Sequence, residues 1–249
     1  MIKKFAVVCP LANESDTFDE FSSKMVEVFN RVYNDNEFAG TAYLVIDNVS
    51  KDNTRELCER LHQADNRFIP VWAPENKNVV DAYLRGYKEA LSSDNNYYYI
   101  LEMDGGLSHD PAALPMFLRY LSEGHRCAFG CRFINGGSIY DSNWKRSFLS
   151  RGGTILSNFL LGTNFRDMTS GYMGFHAEVA KKFVEFGLLS KAHFYQTEVR
   201  YLLRQERYIE VPIHYMAPSP RVSQKAIKNS FAVLWHYFKE RVKGNKHIL

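Results

Sequence analysis

The residues best suited to chemistry lie in the segment 97–111, YYYILEMDGGLSHDP, where an apolar run ends at Asp104 and two glycines. The run predicts a buried strand, and Ser108 or Asp110 can cap a helix that begins near Pro111. In α/β proteins, ligands bind where strands end. A carboxylate beside two glycines can approach a diphosphate closely, or hold a metal ion that does so. The alternative is a plain turn before a helix, and the rest of the chain decides between the two.

The elements that must position Asp104 form an alternating pattern. Short apolar runs predict strands at 5–8, 42–46, 68–71, 97–101 and 127–130. Apolar residues at three- and four-residue steps predict helices at 17–33, 53–64, 79–92 and 111–123. Such βαβα alternation predicts the α/β class, with a mostly parallel, Rossmann-like sheet flanked by helices. Asn13, Glu14 and Asp47 follow other strands, so we expect them beside Asp104 at the carboxyl edge, where a nucleotide would bind.

The second half of the chain resembles an extension of the same domain. Its pattern predicts helices at 145–161 and 193–205 and a strand at 208–213. We therefore predict one domain over 1–222, followed by a basic amphipathic helix within 223–249. Its apolar stripe can lie on an anionic membrane surface, or pack on its own domain or on a second subunit of a homodimer. The stripe consists of Ile227, Phe231, Leu234, Trp235, Phe238 and Val242.

Composition narrows the class of protein. The 249 residues are 45% hydrophobic, which is ample for a folded core, and the formal net charge of +3 is too small to indicate a nucleic-acid partner. The four cysteines lack the paired spacing of metal ligands, so we expect buried, reduced thiols in a cytoplasmic protein. No stretch approaches the roughly 20 apolar residues that span a bilayer. We expect a soluble protein, or one peripheral on the cytoplasmic face of the membrane.

Several common functions of α/β chains lack their motifs here. The first strand-helix turn, CPLANE, contains no glycine, so the dinucleotide-binding fingerprint is absent. No glycine loop ends in Gly-Lys-Ser/Thr, which argues against P-loop kinases and ATPases. The chain has neither an HExxH pair nor a GxSxG elbow, which removes support for metalloproteases and α/β-hydrolases.

Taken in order, the motifs of this chain resemble those of family 2 glycosyltransferases of the A-type fold. The resemblance is closest to the polyprenyl-phosphate sugar synthases, dolichol-phosphate mannosyltransferase among them, and it extends from Phe5 to about Lys225. It implies contacts with the donor nucleotide from residues at the first two strand ends. These residues are Pro10, Asn13, Glu14 and Asp47.

The resemblance also implies a metal site, with one departure. Asp104 occupies the first position of the family's metal-binding DxD motif, and Gly106 replaces the second aspartate. A hard divalent ion requires several oxygen ligands. Either Asp104 binds Mg²⁺ or Mn²⁺ together with the donor diphosphate and water, or arginines and lysines balance the charge of the leaving diphosphate.

Basic segments supply the expected cations. By resemblance, GCRFINGG and WKRSFLSRGGT place Arg132 and Arg146 near donor or acceptor phosphates. PRVSQK resembles a basic loop in which Arg221, Ser223 and Lys225 could close over the donor diphosphate. The planar guanidinium group suits this role because it gives paired hydrogen bonds to phosphate oxygens.

Two further segments resemble acceptor-side motifs. RDMTSGYMGF matches the family's D-x-T-S-G-[FY]-R segment from Asp167 onward, with Met173 where arginine is common. HFYQTEVRYLLR matches a helix that carries a Gln-x-Glu motif, so Gln196 and Glu198 are candidate acceptor-side groups.

The resemblance implies inverting transfer of a hexose from a nucleoside-diphosphate sugar, of the GDP-mannose or UDP-glucose type, to a polyprenyl or dolichyl phosphate. The expected catalytic residues are Asp104, Arg132, Arg146 and Glu198. A lipid phosphate is already anionic, whereas a sugar hydroxyl would need a general base, for which Glu198 and Asp104 are the first candidates. Two alternatives stay open: a hydroxyl acceptor in polysaccharide or glycolipid synthesis, and a nucleotide-sugar-binding protein that has lost turnover.

Overall fold

The computed structural model describes residues 2–140, 144–216, 224–245 and 247–249, with the backbone alone for 144–149. The strands of these residues are β1 (Lys3–Leu11), β2 (Phe38–Ile46), β3 (Phe68–Trp72), β4 (Tyr99–Glu102), β5 (Cys127–Cys131), β6 (Ser138–Ile139), β7 (Met173–His176), β8 (Tyr208–Pro212) and β9 (His214–Tyr215). The helices are α1 (Phe18–Asn34), α2 (Thr54–Ala64), α3 (Val79–Ser92), α4 (Leu114–Ser122), α5 (Trp144–Leu161), α6 (Ala177–Phe186), α7 (Tyr195–Leu202) and α8 (Gln224–Val242). A single 3-10 turn at Pro111–Ala113 leads into α4.

One sheet organises the fold, in the strand order β3-β2-β1-β4-β7-β5-β8. Neighbouring strands run parallel except at β7, which is antiparallel to both β4 and β5. Strands β6 and β9 form a separate parallel pair. The carboxyl ends of β1, β2 and β4 therefore meet at one edge of the sheet. The predicted α/β class and mostly parallel sheet are confirmed.

Strand β1 is apolar from Phe5 onward because helices cover both faces of the sheet. Its side chains alternate between the two faces. Phe5 and Val7 join the core beneath α1, α2 and α4, whereas Ala6 and Val8 join the core beneath α3, α6, α7 and α8. Cys9 continues this alternation, and all four cysteines are buried free thiols, as expected.

Four elements were not predicted from the sequence: the short strands β6 and β9, the strand β7 and the helix α6. Strand β7 places Met173 and Gly174 between β4 and β5, in the middle of the sheet. Gly174 suits this crowded place because a Cβ there would lie 3.2 Å from the side chain of Leu101. This antiparallel strand joins β4 to β5 within the sheet. It also brings the 167–172 segment, which precedes it, to the carboxyl end of β5.

Helix α8 lies inside the predicted range 223–249, but only part of the predicted stripe packs on the domain. Val233, Leu234 and Tyr237 are the residues that it buries in the core. Phe231 and Trp235 of the predicted stripe are 57% and 52% exposed, so the alternative in which the stripe packs on its own domain does not hold for them. Among the described helices, none combines the length and apolar content needed to cross a lipid bilayer.

Candidate active site

The loops after β1 and β2 are joined by a set of hydrogen bonds at the carboxyl edge. The backbone N–H of Asn13 donates to Ser50 Oγ at 3.0 Å, and the N–H of Glu14 donates to Thr54 Oγ1 at 2.9 Å. In the other direction, the Lys51 N–H donates to Asn13 Oδ1 at 2.8 Å. Asn13 adopts a left-handed φ of 59°, which asparagine tolerates better than most residues. The two loops therefore form one preorganised wall.

Asp52 is the centre of that wall. Its carboxylate accepts hydrogen bonds from the Ser15 N–H at 2.9 Å, from Ser50 Oγ at 3.0 Å and from Thr54 Oγ1 at 2.7 Å. Burial opposes ionisation, but these hydrogen bonds outweigh it and hold the pKa of Asp52 well below its usual range. Asp52 is thus a permanently charged structural residue of the wall.

Asp47 and Pro10 occupy the places expected from the sequence, at the ends of β2 and β1. Asp47 is buried and accepts a hydrogen bond from the Val49 N–H at 2.9 Å, which shapes the turn after β2. The carbonyl of Pro10 accepts a hydrogen bond from the Gly105 N–H at 3.0 Å. A Cβ on Gly105 would lie 2.7 Å from that same carbonyl, so only glycine permits this approach of the β4 loop to β1. Contact of Asp47 and Pro10 with a nucleoside stays a prediction.

Asp104 follows β4 and lies at the same edge. Tyr83 of α3 donates a hydrogen bond of 2.5 Å to its Oδ1. Its side chain is 34% exposed, so the carboxylate is held on one side and open to a ligand on the other. Asp104 therefore combines a fixed orientation with access, as a ligand-binding acid requires.

His109 accepts a hydrogen bond from the loop that follows β4. Its Nδ1 accepts a hydrogen bond of 3.0 Å from the backbone N–H of Asp104 and lies 3.5 Å from Asp104 Oδ2. An Nδ1 that accepts this bond carries no proton, and burial also lowers the pKa of His109. The contact with Asp104 is accordingly that of a neutral imidazole and not an ion pair.

Gly106 and Glu14 compete for one space. Gly106 has a φ of +80°, and a Cβ at this position would overlap Oε2 of Glu14 and lie 2.8 Å from its Cδ. The carboxylate of Glu14 thus fills the space into which a side chain at position 106 would project. Burial raises the pKa of Glu14, a hydrogen bond from Thr17 opposes this, and the nearby carboxylate of Asp104 raises it again. Glu14 and Asp104 are therefore electrostatic neighbours.

A second acid, Glu102, lies beneath Asp104 at the end of β4. It is fully buried, and Tyr87 and Tyr195 each donate a hydrogen bond to it, at 2.8 and 2.9 Å. Burial raises the pKa of Glu102 to about 8, although the two hydroxyl groups lower it. The ring centroids of Tyr195 and Tyr83 lie 5.0 Å apart, so the tyrosine that donates to Glu102 packs against the tyrosine that donates to Asp104.

Arg132 follows β5 as predicted, but its guanidinium has a partner within the protein. Nε and Nη2 donate to the two oxygens of Asp167, each at 2.8 Å, and Nη2 also donates to Thr169 Oγ1. Arg132 and Asp167 are both buried. This edge of the guanidinium holds the 167–169 segment beside β5, which favours a positioning role over direct contact with phosphate.

Glu198 and Gln196 lie on α7, and both are buried. Glu198 accepts hydrogen bonds from the backbone N–H groups of Leu189 and Ser190, at 2.8 and 2.9 Å, and from Tyr237 Oη of α8 at 2.8 Å. With no exposed surface and three donors, Glu198 is arranged as a structural residue. The arrangement does not favour the predicted role as a general base for the acceptor.

Met173 departs from the arginine of the family motif, and a guanidinium from another helix lies beside it. Arg200 of α7 is fully buried, and its Nη1 lies 3.3 Å from Met173 Sδ. The same nitrogen donates to the carbonyl of Ser170 at 2.8 Å, and Nη2 donates to the carbonyl of Gly130 at 3.3 Å. Arg200 therefore brings a cation to the region in which the motif led us to expect one.

Of the four remaining predicted residues, only Lys225 has a described side chain. Arg221 and Ser223 lie outside the described residues, and so does the side chain of Arg146. Lys225 is exposed in the first turn of α8. Across the described part of the chain, no group of three or more His, Cys, Asp or Glu side chains is arranged to hold a metal ion.

Sequence reasoning missed Tyr83, His109 and Tyr195 as parts of the site. Tyr83 and Tyr195 lie on helices and match an ordinary apolar face, so their local pattern gave no functional signal. His109 was the one that could have been found, since it stands in the GLSHDP segment that follows Asp104.

Comparison with known proteins agrees with this geometry. The chain matches the family model described as glycosyl transferase family 2 over residues 7–184. It is 31% identical over 189 residues to the polyprenol monophosphomannose synthase of Mycolicibacterium smegmatis, which covers 75% of this chain and 71% of that protein. It is 26% identical over 239 residues to the dolichol-phosphate mannosyltransferase of Pyrococcus furiosus, which covers 95% of this chain and 63% of that protein.

Solved structures extend the agreement to the fold. The glucosyl-3-phosphoglycerate synthase of Mycobacterium tuberculosis, in complex with Mn²⁺, UDP-glucose and phosphoglyceric acid, superposes with a TM-score of 0.67 at 14% identity. The match covers 95% of this chain and 80% of that one. The chain belongs to glycosyl transferase family 2, and it is a glycosyltransferase.

Proposed function

We propose that this protein transfers a hexose from a nucleoside-diphosphate sugar to a polyprenyl phosphate, with inversion at the anomeric carbon. The observation that carries the proposal is the oriented, partly exposed carboxylate of Asp104 at the sheet edge where the loops of β1, β2 and β4 meet. The names of two similar proteins, a polyprenol monophosphomannose synthase and a dolichol-phosphate mannosyltransferase, support the proposal. Donors of the GDP-mannose type and of the UDP-glucose type are both compatible with this proposal.

The donor binds along the wall formed by the first two loops. Asn13 and Asp47 lie at the nucleoside end, and Asp104 lies at the diphosphate end. We propose four groups for the leaving diphosphate, because they stand in the two segments that resemble phosphate-binding segments of the family: Arg146, Arg221, Ser223 and Lys225. Positive charges beside the diphosphate would stabilise the charge that develops as the leaving group departs.

A divalent ion, Mg²⁺ or Mn²⁺, fits the donor set. Carboxylate oxygens are the hard ligands such ions prefer, and one or two carboxylates with substrate phosphates suffice for Mg²⁺. Asp104 would hold the ion, which supplies positive charge opposite the diphosphate when bound. This is compatible with the absence of an all-protein cluster among the described residues.

The acceptor side explains why the buried Glu198 is no obstacle to transfer. The second pKa of a phosphate monoester is near ~6, so the attacking oxygen is already largely anionic at neutral pH. That oxygen forms a bond to the anomeric carbon, while the bond from this carbon to the diphosphate oxygen breaks and its electron pair leaves with the nucleotide. No side chain has to remove a proton, whereas a hydroxyl acceptor would require one that does.

A lipid acceptor also fits the exposed apolar side chains of two helices that pack against each other, α5 and α8. On α5, Ile155 and Phe159 are 69% and 79% exposed. On α8, Phe231 and Trp235 are exposed, and the lysines at 225, 228 and 239 are exposed on the same helix. Aromatic and apolar groups beside lysines suit the interface of an anionic bilayer. We propose peripheral attachment to the cytoplasmic face of the membrane through these side chains, termed here the α5–α8 face.

The test pairs donors with acceptors. Purified protein is incubated with GDP-mannose or UDP-glucose and Mn²⁺, together with a short polyprenyl phosphate or the matching polyprenol that lacks the phosphate. We expect transfer that requires the phosphate and that falls at least about 100-fold in Asp104→Asn. Transfer to a sugar hydroxyl in place of the lipid phosphate would support the polysaccharide or glycolipid alternative. Binding of a nucleotide sugar without transfer to any acceptor would support the protein that has lost turnover.

A further inference from the structure

The loop after β4 lacks a carboxylate where the DxD pattern has its second acid. Gly106 stands at that position, in a turn with φ of +80°. Read from sequence alone, the replacement removes a metal ligand. The structure shows instead that the space beside Gly106 is filled, because a Cβ there would overlap Oε2 of Glu14. A carboxylate is therefore present at this place, although it comes from the loop after β1.

Two hydrogen bonds fix the position of Glu14, one at its backbone and one at its carboxylate. Its backbone N–H donates to Thr54 Oγ1 at 2.9 Å, and its Oε2 accepts a hydrogen bond from Thr17 Oγ1 at 2.9 Å. No described residue donates a hydrogen bond to the other oxygen, Oε1. Glu14 is only partly buried, so its carboxylate is oriented by these bonds while the residue stays accessible at the sheet edge.

We propose that Glu14 replaces the missing acid, and that its carboxylate and that of Asp104 together bind the divalent cation of the donor diphosphate. The inference rests on the proposed function. It explains why position 106 is glycine: a side chain there would displace the carboxylate that has taken its place. Two carboxylates with phosphate oxygens and water complete the coordination that a hard cation requires.

The test measures Mn²⁺ binding without turnover. Calorimetric titration of Mn²⁺ into the full chain with saturating GDP, and separately with UDP, is compared for wild type, Glu14→Gln and Asp16→Asn. Asp16 is an exposed acid of the same loop and serves as the matched control. We expect Glu14→Gln to weaken Mn²⁺ binding at least tenfold, about 1.4 kcal/mol, and Asp16→Asn to change it less than about twofold. Unchanged Mn²⁺ affinity in Glu14→Gln would overturn the assignment.

An exchange of the two positions tests the shared space. Aspartate is among the residues that tolerate positive φ best, so Gly106→Asp can be combined with Glu14→Ala. We expect the double variant to bind Mn²⁺ more tightly than Glu14→Ala alone. If the double variant and Glu14→Ala bind Mn²⁺ equally well and both melt at the wild-type temperature, a carboxylate at position 106 cannot replace that of Glu14, and the inference of a shared space is overturned.

Nucleotide binding by wild type distinguishes a failure of the Glu14 assignment from a failure of the proposed function. If wild type binds GDP or UDP with Mn²⁺ and Glu14→Gln does so equally well, only the role of Glu14 falls. If wild type binds neither nucleotide at any Mn²⁺ concentration, the proposed function falls and the inference falls with it.

Discussion

Arg132 and Asp167 form a buried ion pair in which Nε and Nη2 each lie 2.8 Å from a different carboxylate oxygen. Removal of one charge from such a pair leaves the other without its partner in a poorly solvated place. We expect Asp167→Asn to lower the free energy of unfolding by about 3 to 5 kcal/mol, as measured by urea denaturation. The matched control is Glu59→Gln, which breaks the exposed pair with Arg55 and should cost less than about 1 kcal/mol. Equal losses in the two variants would show that the buried pair does not stabilise the fold.

Glu102 should make stability depend on pH in the neutral range. Burial raises its pKa to about 8 from an ordinary value of 4.5. Between these values the folded protein holds a proton on Glu102 that the unfolded chain has released, so the free energy of unfolding falls as pH rises. We expect a contribution of up to about 1.4 kcal/mol per pH unit, which urea denaturation across this pH interval would reveal.

The variant Glu102→Gln isolates that contribution. Glutamine keeps the size of the side chain but does not titrate, so the decline of stability with pH should become shallower. Glu123→Gln, which alters an exposed acid, should keep the wild-type slope. A wild-type slope in Glu102→Gln would mean that another group binds the proton.

Tyr83 should matter for catalysis more than its neighbour Tyr87. Both are buried tyrosines of α3, but Tyr83 donates its hydrogen bond to Asp104 and Tyr87 donates to Glu102. A hydrogen bond to a charged group contributes about 1.5 to 3 kcal/mol, so Tyr83→Phe should reduce kcat/KM by tenfold or more. We expect a smaller effect on kcat/KM in Tyr87→Phe. Steady-state kinetics of the two phenylalanine variants decide the matter, and equal effects would remove the special role of Tyr83.

Membrane attachment through the α5–α8 face can be measured by vesicle sedimentation. We expect Phe159→Ser with Trp235→Ser to reduce binding to vesicles rich in anionic lipid at least about tenfold, because apolar area leaves the bilayer interface. Val49→Ser is the control, since Val49 is 59% exposed in the loop after β2. If the double variant and the control bind equally, the α5–α8 face has no role in attachment.

The parts of the fold that depend on local pattern were predicted well. Helix α3 was predicted at its observed bounds, and β1, β2 and β3 follow from continuous apolar runs. Strand β7 was missed because its pairing with β4 and β5 depends on partners far away in the chain. Local pattern contains no information on such pairing.

The same limit applies to the site. Asp104, Asn13 and Glu14 were predicted at the carboxyl edge, because parallel topology brings strand ends together. The partner of Arg132 was not predicted, since Asp167 reaches it only after the chain has passed through α5. The placement of the Glu14 carboxylate beside Gly106 was equally hidden, because it depends on the exact approach of two loops.

The hydrogen bond from Tyr237 to Glu198 ties the last helix to the interior of the protein. Leu249 is held to α7 as well, since its N–H donates to the carbonyl of Leu202. Truncation before α8 would remove a hydrogen-bond donor from the buried carboxylate of Glu198 and would expose part of the core to solvent. A shortened chain would therefore unfold, and this would mask any effect on lipid affinity. The role of α8 in lipid binding therefore has to be tested by point substitutions of its exposed side chains.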